Sequence, residues 1–356
     1  MFLAWKEIKY NKLRYALIMG ILVLVSYLVF VLSGLANGLE QLNREAVDKW
    51  DADGIVLTKE SDKRLPRSTM NEDTISSDMF DESAAIGQLS AIASDGDHKS
   101  NVSLLGLQQD AFIAPDVTKG KAFAKEGEVI ADDSLLDEGF SIGDELNISS
   151  SDETLTITGL TDNARFNAAP ALYTDFGTMQ HVRSGEVRDS QGMPVNGFVV
   201  RDDHLDDVSV ADDALEVVGI PTFIENLPGY TAQNLTLTFM IYFLFIICAV
   251  ILAIFLYVLT IQKISMFGVM KAQGIPGRYL ANSVIIQTSQ LALAGVVTGF
   301  LLTIVTGFFL PSAVPIQFDY LTMLLYGMVL IAVSIVGTFI SVRTIAKINP
   351  LQAIGG

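Results

Sequence analysis

Cysteine is nearly absent from this chain. Among 356 residues only Cys248 occurs, inside an apolar run, so no internal disulfide can form and no cysteine cluster can hold a metal. Histidine is almost as scarce. His98, His181 and His204 are dispersed, without the His-X-X-X-His or Glu-X-X-His spacing of a zinc site. Basic residues are outnumbered, 23 against 40 acidic, for a net charge of −17. Nucleic-acid binding needs clustered Lys and Arg to neutralise phosphate, so that class is excluded. A Walker sequence is missing too, because Gly274-Ile275-Pro276-Gly277-Arg278 lacks the Lys and Ser/Thr of a phosphate cradle. If ATP drives this chain, another subunit hydrolyses it, and the chain itself is expected not to be an enzyme.

Apolar sequence is what the chain has in abundance: half of its residues are hydrophobic and its mean hydropathy is +0.42. The apolar residues gather in four blocks, 16–36, 235–260, 283–311 and 319–341. Each is near or above the ~20 residues that cross a hydrocarbon core of ~30 Å, so the chain is expected to be an integral membrane protein. The acid lies elsewhere. From Glu40 to Glu225 there are 38 Asp and Glu against 14 Lys and Arg, the composition of a water-soluble domain.

Charge bias orients the blocks. Lys6, Lys9, Lys12 and Arg14 precede the first, opposed only by Glu7, and Lys263, Lys271, Arg278, Arg343 and Lys347 follow the second and fourth without acid. The positive-inside rule places all of these in the cytoplasm and puts the acidic region outside. Residues 1–14 read as a cytoplasmic amphipathic helix. Transmembrane helices are expected over 15–37, 233–260, 283–311 and 319–342. Between them fall an extracytoplasmic domain over 38–232, a cytoplasmic segment over 261–282, an outer turn over 312–318 and a cytoplasmic tail over 343–356. The small residues Ser33-Gly34-Leu35-Ala36 superficially suit a signal-peptide cleavage site, but about 20 apolar residues exceed the usual ~7–15 of such a signal. Helical spacing continues past Asn43 towards Trp50, so the first helix is expected to project from the membrane.

The outer domain is expected to be α+β. Strand signatures lie at 54–58, 102–107, 128–130, 155–160 and 197–200, and Ile142 to Leu146 read as the lead of a β-hairpin. Helices are expected at 72–80, 132–138 and 204–216. Acid pairs such as Asp132-Asp133, Asp202-Asp203, Asp206-Asp207 and Asp212-Asp213 lack EF-hand spacing and read as a solvated face. No Asp, Glu, Lys or Arg occurs between Leu235 and Leu259 or between Val284 and Leu310. Ion-coupled carriers need buried ionisable groups there, so a secondary transporter is disfavoured.

The stretch Thr260-Ile261-Gln262-Lys263-Ile264-Ser265-Met266-Phe267-Gly268-Val269-Met270-Lys271-Ala272-Gln273-Gly274 and the ending Ile348-Asn349-Pro350-Leu351-Gln352-Ala353-Ile354 resemble conserved segments of FtsX/MacB-type ABC transporter permeases. One span, a large outer domain and three further spans match that family along the whole chain. Met1 to Lys9, Ser33 to Leu39, Tyr257 to Ser265 and the closing Ala353-Ile354-Gly355-Gly356 resemble, within it, the permeases of the haem-exporting HrtBA systems of Gram-positive bacteria.

The resemblance implies a homodimeric permease in a Gram-positive cell membrane, paired with two copies of a separate ATPase that carries the ATP-Mg. Motion of the inner ends would be relayed along the first two helices to the outer domains. Lys263, Phe267, Gly268, Lys271 and Gly274 are then candidates for coupling to the ATPase, although the lysines equally serve to enforce topology. Haem is expected as transported substrate, and no intrinsic cofactor. A flat amphipathic ring partitions into lipid, so it can be collected sideways and needs no aqueous tunnel. Its site needs apolar walls, an iron ligand and polar partners for the propionates. The outer ends of the first two spans offer Glu40, Asn43, Glu225, Asn226, Tyr230, Gln233 and Asn234, with Phe239 and Met240 just inside. Tyr230 is the preferred iron ligand because phenolate suits ferric iron, with Glu40 and Met240 as substitutes. Other readings are export of a peptide, antibiotic or lipid, and an FtsX-like regulator of a cell-wall hydrolase.

Overall fold

The computed structural model describes residues 12–76, 79–149, 151–184, 193–205, 210, 212–262, 264–311 and 314–347, with the backbone alone for Arg14 and 339–347. Residues 1–11 of the expected amphipathic helix, Lys263, the Asp206-Asp207 pair and the ending from Ile348 lie outside the described residues. The chain divides into two compact units, Leu39–Asn234 and Met1–Gly38 with Leu235–Gly356.

Helix α1, Lys12–Lys49, contributes to both units. Its 38 residues make about 57 Å at 1.5 Å per residue, nearly twice the thickness of a hydrocarbon core. The helix runs unbroken through Ser33 to Ala36 and on to Lys49, as the spacing beyond Asn43 predicts.

The domain then builds strands β1 Gly54–Thr58, β2 Met70–Asn71, β3 Glu82–Ser94, β4 Lys99–Gly106, β5 Lys119–Gly120, β6 Glu128–Asp132, β7 Glu145–Ile148, β8 Thr154–Thr161, β9 Arg165–Phe166 and β10 Ala169–Thr174. Helix α2, Phe176–Ser184, precedes β11 Pro194–Val195, β12 Gly197–Arg201, β13 Leu215–Gly219 and the short helix α3, Ile220–Glu225. The main sheet has the order β13-β1-β12-β3-β4-β10-β6-β8-β5, with β7 beside β3 and β8, and β9 beside β10. β2 and β11 form a separate ribbon. β4 and β10 are parallel, as are β6 and β8, whereas the other pairs are antiparallel. The long strand β3 serves two neighbours in turn: Glu82 to Ile86 pair with β12, and Gly87 to Ser94 pair with β4. The domain is α+β, as expected.

The strands expected at 54–58, 102–107, 128–130, 155–160 and 197–200 fall on β1, β4, β6, β8 and β12. β7 pairs antiparallel with β8, which is the hairpin that Ile142 to Leu146 lead into. Two of the three expected helices are corrected. Glu72–Thr74 and Asp133–Leu136 are single 3-10 turns. The Asp132 carboxylate caps the start of the second, accepting from Ser134 N at 3.1 Å and from Ala164 N at 2.7 Å, and Gly139 in the left-handed region, φ +102°, ends it. Of 204–216, residues 206–209 and 211 lie outside the described residues, and Leu215 and Glu216 begin strand β13, paired with β1.

The domain buries three apolar clusters. The first joins Ala46, Val47 and Trp50 of α1 to Ile55, Leu57, Ile86, Leu105, Phe166, Tyr173, Phe223, Leu227 and Tyr230. Trp50 is fully buried between Phe166 and Phe223, ring centroids 6.2 and 6.1 Å away.

Four more helices follow: α4 Tyr230–Gln262, α5 Ile264–Ala272, α6 Gly277–Phe309 and α7 Tyr320–Lys347. α1, α4, α6 and α7 are long and apolar enough to cross a membrane. Their shared core takes Ile18, Leu22, Val25 and Phe30 from α1, Phe245, Cys248 and Leu252 from α4, Ala292 and Val296 from α6, and Met323 and Leu330 from α7. In lipid there is no hydrophobic drive between helices, so small residues that permit close approach do the joining. Gly295 and Gly299, four apart on α6, lie against α1: a Cβ at Gly295 would stand 2.6 Å from Leu22 Cβ, and one at Gly299 would collide with the Ser26 side chain. The Ser26 hydroxyl completes the contact at 3.2 Å from the Gly295 carbonyl. Nearer the outer end, Gln317 N donates to Gly34 O at 3.0 Å, and a Cβ at Gly34 would meet the Phe318 ring at 2.9 Å.

Candidate functional site

In the domain, the Tyr230 hydroxyl donates to Glu40 Oε1 at 2.7 Å, a pairing of residues 190 apart in sequence. Arg44, one turn beyond Glu40 on α1, approaches the same oxygen with Nη1 at 3.6 Å and grips Asp48 through Nε and Nη2 at 2.8 to 3.0 Å. Tyr230 is buried, whereas Glu40 and Arg44 keep 37% and 34% of their side chains exposed. A phenolate ligand for iron would have to lose the proton that Tyr230 gives Glu40. As found, Tyr230 is a hydrogen-bond donor, Glu40 is the anionic oxygen and Arg44 is a cation able to pair with a carboxylate. Sequence reasoning missed Arg44; its signal was the i,i+4 spacing on either side, to Glu40 and to Asp48.

The other domain candidates are not gathered at this pair. Asn43 is buried, its Nδ2 donating to Leu39 O at 2.7 Å and its carbonyl accepting from Asn167 N at 3.0 Å, which makes it part of the packing of α1. Glu225 is exposed. Asn226 caps the end of α3 through its own N–H and through Nδ2, which donates to Thr222 O at 2.8 Å. Gln233 Nε2 is buried without a partner among the described residues, and Asn234 is half-buried.

The outer end of α1 is clasped by residues 161–168. Lys49 Nζ donates to Asp162 Oδ1 at 2.8 Å and to Thr161 Oγ1 at 3.2 Å, and the ammonium holds the Asp162 carboxyl below the ordinary carboxylate range. Glu45, 8% exposed, accepts from Arg165 N at 3.2 Å, and Ala168 N donates to Leu42 O at 3.1 Å. This loop needs left-handed backbone at Asn163, Asn167 and Ala168, an arrangement costly for alanine.

In the membrane unit, a groove of about 420 Å³ runs between α1 and α4. Leu28, Leu32 and Leu35 line one wall, and Met240, Phe243 and Ile247 the other. Every lining side chain is apolar, and the Met240 thioether is the one lining group with an atom that coordinates iron. Phe239 and Met240 are both more than half exposed, at 57% and 51%.

The hairpin from α5 to α6 corrects part of the expected coupling set. Phe267 and Gly268 are buried, with Phe267 packed on Leu280 and Val284, so they hold the hairpin together and do not present a surface. The helix must bury one stripe to dock on α6, and Phe267 and Met270 fall on it. Met266 and Val269 are the exposed large apolar side chains, at 44% and 42%. Gly274 closes α5 in the left-handed region, φ +88°, and Lys271 is half-buried.

The MacB-like periplasmic core domain matches residues 15–218, more than half of the chain, and the FtsX-like permease C-terminal domain matches 238–350. The chain belongs to the FtsX/MacB-type ABC transporter permeases. As such a permease it is a multi-pass membrane protein with four transmembrane helices, a large extracytoplasmic α+β domain between the first two, and an ATPase as partner. The permease is 26% identical over 357 residues to a putative hemin transport system permease protein HrtB of Staphylococcus haemolyticus, covering 99% of each chain. It is 28% identical over 365 residues to the protein of the same description in Staphylococcus epidermidis, again covering 99% of each. Among solved structures, the extracellular domain of the noncanonic ABC-type transporter YknZ from Gram-positive bacteria aligns with 47% of this chain and 99% of its own, at 14% identity and a TM-score of 0.35.

Proposed function

We propose that this permease is the membrane subunit of a pump that exports haem from the lipid of a Gram-positive cell membrane. The observation that carries the reading is the groove between α1 and α4, whose purely apolar walls suit a porphyrin and whose Met240 sulfur suits its iron. The staphylococcal relatives described as hemin transport permeases support it. The domain offers a separate polar cluster, in which the Glu40 carboxylate held by Tyr230 suits iron and Arg44 suits a propionate.

The permease works as a homodimer with two copies of a separate ATPase, which carries the ATP-Mg; the permease has no cofactor of its own. Both termini and the α5 hairpin are cytoplasmic, in keeping with their uncompensated Lys and Arg. Met266 and Val269 on α5 dock on the ATPase, with Lys271 beside them. Motion at that end passes along α1 and α4 as stiff rods. Trp50 and Tyr230 share one buried cluster, so the two rods act on one domain core.

The test is to purify the permease with its ATPase, add haemin and record the Soret band and ATP turnover against a panel of peptides and antibiotics. Saturable haem binding that changes turnover and weakens in Met240→Leu and Glu40→Gln is expected. Haem binding that is absent, or that is as tight in both variants as in the parent, overturns the assignment. Turnover responding to a peptide instead would support peptide export, and a wall defect on deletion without haem sensitivity would support the hydrolase regulator.

A further inference from the structure

A second concavity lies wholly within the extracytoplasmic domain. It is a cleft of about 580 Å³ on the side of the sheet where β10 gives way to α2. Its floor is apolar: Leu107 is fully buried, and Phe123 and Phe176 are 3% and 7% exposed. Its walls are acidic, with Glu72, Asp110, Glu126 and Asp175 facing a single base, Lys125. Glu126 and Asp175 converge on the start of α2, where a Cβ on Gly177 would stand 3.1 Å from Glu126 Oε1 and 2.9 Å from Asp175 Oδ1. Glycine at that position keeps the space between the two carboxylates open.

Two of the four acids are engaged within the domain. Glu72 accepts from Gln108 Nε2 at 2.8 Å, and Asp175 accepts from Thr178 N at 2.8 Å and from the Thr178 hydroxyl at 2.6 Å. Asp110 and Glu126 have neither a hydrogen bond nor an ion pair among the described residues. Like charges gathered around a low-dielectric floor focus a negative potential, which a cation entering the cleft relieves. The acidic balance of Glu40 to Glu225 adds a long-range field of the same sign.

We propose that this cleft docks a basic segment of an extracytoplasmic partner protein, with an aromatic or aliphatic side chain over the edges of Phe123 and Phe176 and Lys or Arg against Asp110 and Glu126. A chain segment fits better than a small molecule, because Gln108, Gln109, Asp110, Ala124, Lys125 and Glu126 are all exposed. A compact ligand there would stay largely in water, whereas binding pockets for small molecules enclose most of the ligand surface. The inference is independent of haem as cargo.

The full-length permease with its ATPase, in neutral detergent, is titrated with a short fluorescein-labelled peptide rich in Lys around one central Trp. The same peptide with Glu for Lys is the control. Saturable binding that weakens as salt rises is expected for the first peptide alone. The double variant Asp110→Lys/Glu126→Lys should lose affinity by about 10-fold or more, as charge reversal at a complementary interface does. Asp110→Asn/Glu126→Gln should lose less and show a flatter salt dependence. Both positions are exposed and unpartnered among the described residues, so the variants are expected to fold, and an unchanged thermal melt by circular dichroism would confirm it separately from peptide binding. Equal binding to wild type and the charge-reversed variant, binding of the acidic peptide, or no saturable binding would each overturn the proposal.

Discussion

Replacing Trp50 with alanine tests whether α1 acts on the domain through its core. Trp50 has no exposed surface, packs against Phe166 and Phe223 at tilts of 30° and 32°, and shares its cluster with Leu227 and Tyr230 at the approach to α4. Truncating a fully buried tryptophan costs about 3–5 kcal/mol, a large part of the ~5–15 kcal/mol that holds a domain folded. Phenylalanine should behave differently. Trp50 Nε1 is buried with no hydrogen-bond partner among the described residues, so Trp50→Phe keeps an aromatic ring and removes an unpaired donor whose burial costs about 1–3 kcal/mol. The two effects offset, and Trp50→Phe should lie within about 1.5 kcal/mol of the parent. Trp5 and Trp50 are the only tryptophans, so a Trp5→Phe background reports Trp50 alone. Its emission should be blue-shifted and should move red as the domain unfolds with heat. In Trp50→Ala the domain should melt earlier by circular dichroism while basal ATP turnover persists and its response to haemin is lost. If Trp50→Ala melts with the parent, or Trp50→Phe is as damaging as alanine, the reasoning about this core fails.

Gly299→Val drives a side chain into Ser26 and should cost about 1–3 kcal/mol through overpacking, seen as earlier thermal aggregation of the detergent-solubilised complex. Gly20→Val, at a position with open space around it, is the control and should be silent. In the turn between β3 and β4, His98 Nδ1 lies 2.9 Å from Asp95 Oδ2, which pulls the Asp95 pKa to about 2 and raises that of His98. A depressed acid favours the fold above its ordinary value and a raised histidine favours it below its own. The contact therefore holds most strongly from about pH 4 to about pH 6.5. It weakens as His98 deprotonates above its raised value and as Asp95 protonates near pH 2. Asp95→Asn should return the His98 titration, followed by NMR, to the ordinary range. Lys49 and Asp162 keep 29% and 51% exposure, so a double-mutant cycle with Lys49→Met and Asp162→Asn should give only about 0.2–1 kcal/mol of coupling. A much larger value would mean that the clasp around α1 acts as one cooperative unit.

The spans were legible in the sequence because lipid demands long uninterrupted apolar runs, and the strands at β1, β4, β6, β8 and β12 because their Val, Ile and Leu are bounded by Gly and Asp. β3 was not. Its Glu-Ser-Ala-Ala-Ile-Gly-Gln-Leu-Ser-Ala-Ile-Ala-Ser run has little intrinsic strand character and is held by partners on both sides. The helix expected at 132–138 stops after a single turn because Gly139 takes the left-handed region, φ +102°, while the Asp132 carboxylate caps its start and ties it to the sheet. Of the candidate site, Glu40 and Tyr230 were both singled out, yet their hydrogen bond joins residues far apart in sequence and only the fold reveals it. The resemblance made Phe267 a coupling candidate. The partner helix that buries it lies beyond the turn at Gly274 and is invisible to local spacing.

Hydroxyl side chains are frequent in the spans, yet they are turned inward on their own backbones. Ser26, Thr260, Thr288, Thr298, Thr303, Thr306, Ser334 and Thr338 each donate to the carbonyl four residues earlier, at 2.6 to 2.9 Å, or 3.0 Å for Thr288. A hydroxyl engaged in this way is not available to line a file of water, and the runs from Leu235 to Leu259 and from Val284 to Leu310 hold no charge to stabilise an ion midway. The bundle is therefore expected not to conduct ions. A cell carrying many copies should then keep its membrane potential, and electrophysiology on reconstituted permease should find no conductance above that of the lipid.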